Sequence, residues 1–190
     1  MTTLANSIIR GNVTYTAGSG TSPTPITLPR TINPDKSLVF FTVKTDRAGN
    51  DNFQTANWGY SLNSTSLAFF RTSNFIYYEI VEFTDVNVQR GMTQTATDGS
   101  NVEISIANVN PESTLVFGFS KTSSPEATSD RFYGLYLQEA NTLILKSTPI
   151  SNTANVCWQV AEFTPDVEVQ RGHYTFTASS EITGDISISP

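Results

Sequence analysis

An internal repeat constrains the fold of this chain of 190 residues more than any single motif does. Three pairs of similar segments show the repeat: residues 33–40 with 110–117, 78–83 with 158–163, and 88–91 with 169–172. The spacing is roughly 80 residues, the size of one small domain. We therefore predict two copies of one domain, followed by the start of a third copy at the Arg171-Gly172 pair.

The composition favours β-strands over helices in both copies. Only 15% of the residues are charged, whereas Thr, Ser and Asn are abundant and aromatic residues make up 11%. We predict an all-β fold of two tandem antiparallel β-sandwich domains, residues 1–87 with an amino-terminal arm and residues 88–190 with extra carboxyl-terminal strands. The predicted strands lie near 12–16, 26–28, 37–44, 57–62, 66–71, 75–83, 92–96, 102–107, 114–120, 132–138, 142–146, 156–163, 173–177 and 185–189.

Comparison of the two copies assigns faces to the strands. Tyr78 corresponds to Trp158, and we expect both to point inward, as we do for Ile80 and its counterpart Val160. Glu79 and Gln159 then occupy the opposite face. Polar runs at 62–66 and 139–141, between paired strand candidates, predict antiparallel hairpins, and the match of 60–62 with 136–138 predicts equivalent strands before them.

Charge and targeting signals limit the partners that we expect. The net charge of −6 argues against nucleic acid, because nucleic-acid affinity comes from clustered Lys and Arg. The first ten residues have no basic start or long apolar run, so we expect a soluble protein made in a cytosol, without a membrane span. Cys157 lies in an apolar strand pattern and is expected to be a small buried hydrophobe. We predict no cofactor.

The chain contains few groups suited to catalysis. Its one histidine, His173, corresponds to Met92 in the other copy. Because Met has no base, we do not expect a catalytic base at this position. The strand candidates for the paired carboxylates of glycoside hydrolysis are Glu79, Glu82, Glu103 and Glu162. We predict no enzyme activity and no metal site, the only weak candidates for a metal being the loop residues Asp46, Asp51 and Asp130.

The residues that recur in both copies are predicted to be structural. Glu82 and Glu162 are each followed eight or nine residues later by an arginine, Arg90 or Arg171, which favours a Glu–Arg ion pair joining successive strands. Gly91 and Gly172 follow the arginines and indicate a bulge or a close backbone approach.

The two copies differ most in two polar loops, residues 46–56 and 123–130, and loops on a rigid scaffold often bind ligands. The first loop contains Phe53, and Trp58 lies beside it. Two aromatic residues with polar neighbours are typical of sugar-binding sites. The interpretation left open beside it is that Trp58 points inward and Phe53 anchors the loop. The candidate ligand-binding residues are Asp46, Asn52, Phe53, Trp58 and Asp130.

The succession of a Leu-Val-Phe strand, a Tyr-x-Leu hairpin, Trp-Gln-Val-x-Glu-Phe and Val-Gln-Arg-Gly resembles a repeat of tailed-phage virion proteins and some bacterial surface proteins. The strand order is also similar to the H-type lectin domain, a six-stranded antiparallel β-sandwich that trimerises and whose animal members bind N-acetylgalactosamine. The resemblance implies a β-sandwich and a homotrimer, with sugar binding as a further expectation.

These observations lead to a functional hypothesis. The chain is expected to be a non-enzymatic structural protein of a bacteriophage virion, assembled in the host cytoplasm as a trimeric capsid decoration or head-fibre protein. Its expected partners are other copies of itself and the major capsid or other virion proteins. The alternative is a carbohydrate-binding receptor module of a tail fibre or bacterial surface, for which a cell-surface glycan is the partner.

Overall fold

A computed structural model describes residues 5–14, 25–44, 59–70, 75–122, 133–147, 154–164 and 167–171. This part of the chain contains twelve strands. They are β1 (Ala5–Thr14), β2 (Ile26–Thr27), β3 (Ser37–Lys44), β4 (Gly59–Leu62), β5 (Ser66–Phe70), β6 (Phe75–Phe83), β7 (Val86–Gln94), β8 (Val102–Ser105), β9 (Thr114–Thr122), β10 (Tyr133–Glu139), β11 (Thr142–Ser147) and β12 (Ala154–Phe163).

The strands form four antiparallel sheets of three strands each within the described residues. Sheet 1 has the order β1-β6-β3 and sheet 2 the order β2-β5-β4; we call these strands the first unit. Sheet 3 has the order β7-β12-β9 and sheet 4 the order β10-β11-β8, and they form the second unit. The prediction of an all-β fold built from antiparallel β-sandwiches is therefore confirmed.

Each unit has its own apolar core between its two sheets. In the first unit, Val39 and Ile80 of sheet 1 pack with Leu67 and Phe69 of sheet 2. In the second unit, the corresponding core contains Val156, Trp158 and Val160 of sheet 3 with Leu143 and Leu145 of sheet 4. Burial of these alternating side chains is the main stabilising contribution to each sandwich.

The inward positions predicted from the repeat are confirmed. Tyr78, Ile80, Trp158 and Val160 are all buried in the two cores. The hairpins β4–β5 and β10–β11 pair as antiparallel strands, as predicted. The boundary predicted between residues 87 and 88 falls inside β7, and the division into two domains stays a prediction.

The structure corrects the predicted first strand of each unit. Those strands were expected near residues 12–16 and 92–96, but β1 begins at Ala5 and β7 at Val86. The pairs Arg10-Gly11 and Arg90-Gly91 therefore lie in mid-strand. Sequence alternation is weak in β7 because Gln89, Gly91 and Thr93 stand opposite the inward residues of β12 while Val88 faces outward. Pairing with the central strand determines the length of both strands instead.

The equivalence predicted between Tyr60 and Tyr136 is wrong by one residue. Tyr60 points into the first core, whereas Tyr136 points outward and Leu135 takes the inward place. The pairing of β10 with β11 shifts register between Leu137 and Glu139, and such a shift moves side chains to the other face. The strands predicted at 173–177 and 185–189 lie outside the described residues.

Candidate functional site

The candidate ligand-binding residues lie outside the part of the chain that the structure describes. This applies to Asp46, Asn52, Phe53, Trp58 and Asp130, and to the weak metal candidate Asp51. Gly172 also lies outside it. The repeated residues Glu82, Arg90, Gly91, Glu162 and Arg171 are described, and the site is built from them.

Glu82 fixes the turn that precedes β3. Its buried carboxylate accepts hydrogen bonds from the Asn33 N–H (2.7 Å), the Arg30 guanidinium (2.8 Å) and the Ser7 hydroxyl (3.1 Å). Burial raises the pKa of the Glu82 carboxyl, but the hydrogen bonds from Asn33, Arg30 and Ser7 outweigh it, so the net pKa lies below the ordinary value. The ionised carboxylate therefore acts as a structural acceptor.

Glu162 repeats this role in the second unit. Its carboxylate accepts a hydrogen bond of 2.7 Å from the Asn110 N–H, the counterpart of Asn33. Each asparagine side chain in turn accepts a backbone N–H at the start of a single 3₁₀ turn, Pro34–Lys36 or Pro111–Ser113. The two glutamates thus hold the same Asn-Pro turn at the entrance to β3 and β9.

The predicted Glu–Arg ion pairs are not formed. Arg90 Nη2 instead donates to the carbonyl oxygens of Pro34 and Ser37, at 2.6 Å each, and these residues belong to the other unit. Arg171 Nη2 donates in the same way to the carbonyl oxygen of Thr114, the counterpart of Ser37. The glutamate and the arginine of one motif therefore bond the same turn instead of each other: Glu82 accepts from its first N–H, and Arg90 donates to its carbonyl oxygens.

At Gly11 and Gly91, the glycine that follows the arginine allows an aromatic ring to lie against the backbone, as predicted for Gly91. A Cβ atom added there would lie 2.8 Å from Cε2 of Trp158, its cross-strand neighbour. At Gly11 the added atom would lie 2.6 Å from Cζ of Tyr78. Both distances are too short for any other residue, so the repeated glycine is required by packing of the core aromatic.

Gln159 joins the two units through the backbone of Val39. Its side-chain amide accepts a hydrogen bond from the Val39 N–H (3.1 Å) and donates one to the Val39 carbonyl oxygen (2.9 Å). Gln159 is fully buried on the outer face of sheet 3, and Val39 lies on β3, the edge strand of sheet 1. Gln159 thereby pairs backbone groups of this edge strand that would otherwise lack a hydrogen-bond partner.

Apolar contacts surround this pair of hydrogen bonds. Leu38 of β3 packs in a buried cluster with Val86, Val88 and Ala161 of sheet 3. Phe40 stacks on Phe117 with 5.7 Å between ring centroids. The contact between the units therefore has a buried apolar cluster as well as specific hydrogen bonds.

The sequence alone did not predict this interface. The available signal was that the first copy has a carboxylate, Glu79, where the second has an uncharged amide, Gln159. A residue that changes from charged to neutral between copies indicates that its surroundings change from solvent to protein. Cys157, expected to be a buried hydrophobe, is buried on the same outer face of sheet 3.

Tyr60 lies where β4 meets the outer face of sheet 3. Burial raises the pKa of the Tyr60 hydroxyl above its ordinary value, and the charge of Arg90 opposes that rise only in part. The phenol is therefore neutral at physiological pH. Within the described residues, its hydroxyl oxygen has no hydrogen-bond partner.

The corresponding outer face of sheet 1 is open. It carries the exposed aromatic side chains of Phe40 and Tyr77 and an ion pair of 2.5 Å between Arg10 Nε and Glu79 Oε1. Both members of the ion pair are largely exposed, so the pair contributes little to stability. Next to it lies a cavity of about 440 Å³, lined by Phe40, Phe41, Thr42, Tyr77, Tyr78, Glu79 and Phe119. This face therefore carries an exposed apolar aromatic surface.

Neither a cluster of metal ligands nor a helix able to span a membrane occurs among the residues that the structure describes. No three His, Cys, Asp or Glu side chains there are grouped as metal ligands. No helix in that part of the chain is long and apolar enough to cross a bilayer.

Comparisons with models of known protein families, with curated protein sequences and with solved structures found no match to this chain. The fold therefore defines the class of this protein: it is an all-β protein of antiparallel sheets that pack in pairs.

Proposed function

We propose that this chain is a non-enzymatic structural protein of a tailed-phage virion, acting as a trimeric capsid decoration or head-fibre protein. The observation that supports the proposal is that the repeated polar residues form hydrogen bonds that hold the fold together. Glu82, Glu162, Arg90 and Arg171 all bond backbone groups that hold a turn or join one strand system to the next. Polar residues retained in both copies thus serve assembly of the fold.

The resemblance of the repeat to those of phage virion proteins supports the same proposal. A homotrimer would present six similar sandwiches, which suits attachment at a three-fold or pseudo-six-fold position of a capsid. The partners would be other copies of the chain and the major capsid or another virion protein, and the place of assembly would be the host cytoplasm.

Immunogold electron microscopy of phage particles tests the proposal. An antibody against this protein is expected to place gold on the head, with particles lacking the protein as the control. Particles that carry no gold above that control would contradict the virion assignment.

Gold at the tail tip would instead favour the second candidate, a carbohydrate-binding receptor module. The sequence observation that favours it is the aromatic and polar composition of the loop that contains Phe53 and Trp58. It predicts sugar binding with a dissociation constant in the roughly millimolar to micromolar range, increased by avidity in a trimer. Trp58→Ala is expected to abolish binding while the circular dichroism spectrum stays unchanged, and a glycan array without signal would count against this candidate.

A further inference from the structure

We propose that the outer face of sheet 1 binds a second copy of this chain through the β9 edge of that copy. The contact would repeat, between two chains, the one that the outer face of sheet 3 makes with the β3 edge inside each chain. The proposal names the surface for the self-association part of the proposed function, and it does not depend on where the protein resides.

The two outer faces are equivalent residue by residue. In sheet 1, β6 lies between β1 and β3, and Arg10 is paired with Glu79. In sheet 3, β12 lies between β7 and β9, and Arg90 is paired with Gln159. The same register places the same side of each strand outward, so each outer position in one sheet has a counterpart in the other.

One face is covered and the other is not. On sheet 3, Val88 is 5% exposed and Cys157 is 3% exposed, because the first unit covers this face: Leu38 of β3 packs with Val88, and Tyr60 of β4 lies near Cys157. Their counterparts on sheet 1 are Ile8, which is 44% exposed, and Tyr77, which is 53% exposed. An apolar patch of this kind on a soluble domain indicates an interaction surface.

The edge strands β3 and β9 differ in exposure in the same way. Leu38 of β3 is 1% exposed, because it packs on sheet 3, whereas its counterpart Leu115 of β9 is 38% exposed. Six large hydrophobic side chains are exposed among the described residues, and four of them belong to the two proposed surfaces. These four are Ile8, Phe40, Tyr77 and Leu115.

The internal contact predicts the contacts between the chains. Leu38 packs with Val88 and Ala161, so Leu115 of one copy would pack on Ile8 and Val81 of the other. Phe40 stacks on Phe117 within the chain. It would stack a second time on Phe117 of the docked copy, which continues one row of rings from chain to chain.

One polar contact would be weaker between chains than within the chain. Gln159 both accepts from and donates to the backbone of Val39. Its counterpart Glu79 would accept from the Val116 N–H but has no donor for the Val116 carbonyl oxygen. A reversible association results, and replacement of this carboxylate by an amide would strengthen it.

The segment of residues 167–171 competes for the same edge. Arg171 donates to the Thr114 carbonyl oxygen, and the Val169 N–H donates to the Glu112 carbonyl oxygen at 2.7 Å. Arg10 of a docked copy would reach the same Thr114 oxygen, by analogy with Arg90 and Ser37. Docking therefore displaces this segment, and loss of the Arg171 side chain favours docking.

A mixing experiment with two single variants tests the proposal. Ile8→Glu disables the face and leaves the β9 edge intact, whereas Leu115→Glu disables the edge and leaves the face intact. By sedimentation velocity, the unmodified full-length chain is expected to associate with increasing concentration, and each variant alone is expected to stay monomeric. An equimolar mixture is expected to form a one-to-one heterodimer, since a head-to-tail contact needs one face and one edge.

Two controls carry the same charge change at equally exposed positions elsewhere. Met92→Glu and Tyr136→Glu replace exposed hydrophobic residues outside the proposed surfaces and are expected to associate like the unmodified chain. Circular dichroism confirms that all four variants are folded. The proposal is overturned if the mixture stays monomeric, or if the two controls lose association as Ile8→Glu and Leu115→Glu do.

A gain of affinity gives a second test. Glu79→Gln is expected to lower the dissociation constant of self-association about ten-fold, which corresponds to one additional net hydrogen bond. Arg171→Ala is expected to lower it as well. An unmodified chain and a Glu79→Gln variant that both remain monomeric at their highest soluble concentration would overturn the proposal, while gold on phage heads would still support the virion assignment.

Discussion

The side-chain amide of Gln159 forms two hydrogen bonds with the backbone of Val39, 120 positions earlier in the chain. Both residues are fully buried. An amide matches the N–H and C=O of an edge strand as another strand would, so one side chain joins a strand of one unit to a sheet of the other. This contact is specific to the second copy of the repeat, since its counterpart Glu79 is exposed.

Replacement of Gln159 by alanine is expected to lower the free energy of unfolding by about 3 kcal/mol, because two buried backbone groups lose their partners. Urea denaturation followed by circular dichroism measures the change. Gln138→Ala, which truncates an exposed glutamine of β10, is the matched control and is expected to cost less than about 0.5 kcal/mol. Equal midpoints for the two variants would contradict the structural role of Gln159.

Gly91→Ala is expected to destabilise the fold by about 2 kcal/mol, because the new methyl group overlaps the ring of Trp158. The melting temperature, measured by differential scanning calorimetry, reports the change. Gly134→Ala is the control, since a Cβ atom at this position meets nothing within 4 Å. If both variants melted at the temperature of the unmodified chain, the close approach of Trp158 to Gly91 would be wrong.

Arg90→Ala is expected to lower the free energy of unfolding by about 2 kcal/mol, because Pro34 and Ser37 lose a charged donor at the contact between the units. Arg10→Ala changes the equivalent residue of the first copy, whose ion pair with Glu79 is exposed. It is expected to cost less than about 1 kcal/mol. Guanidinium denaturation measures the unfolding free energy of both variants. A larger loss for Arg10→Ala than for Arg90→Ala would contradict the role of Arg90 at the contact between the units.

The stability of the fold is expected to fall in acid partly through Glu82. Its folded-state pKa lies below the ordinary value of 4.5, so the ionised carboxylate stabilises the fold above that value. This contribution is lost as the pH decreases through the folded-state pKa. The difference in unfolding free energy between the unmodified chain and Glu82→Gln should therefore be largest above about pH 5 and shrink below it.

Urea denaturation at a series of pH values measures that difference. Glu103→Gln, at an exposed position of β8, serves as the control and is expected to cost little at any pH. A difference for Glu82→Gln that stays constant down to the acid transition would show that ionisation of Glu82 does not contribute.

The sequence by itself determined the class of fold and the inward face of the repeated central strand. Alternation of apolar residues identified Tyr78, Ile80, Trp158 and Val160 as core positions, because a strand that packs on one face has a period of two residues. Turn residues located the hairpins for the same local reason. The glycine after each arginine also indicated a close approach to the backbone.

Only the tertiary structure decided which partners the repeated polar residues have. The sequence favoured a bond between Glu82 and Arg90, which lie eight positions apart, but the glutamate bonds Arg30 and Asn33 and the arginine bonds Pro34 and Ser37. Pairing of polar side chains depends on which strands become neighbours, and that in turn depends on sheet order and on packing between units. The outer faces of sheets 1 and 3 have the same pattern in sequence, and only contacts between residues distant in the chain cover one and leave the other open.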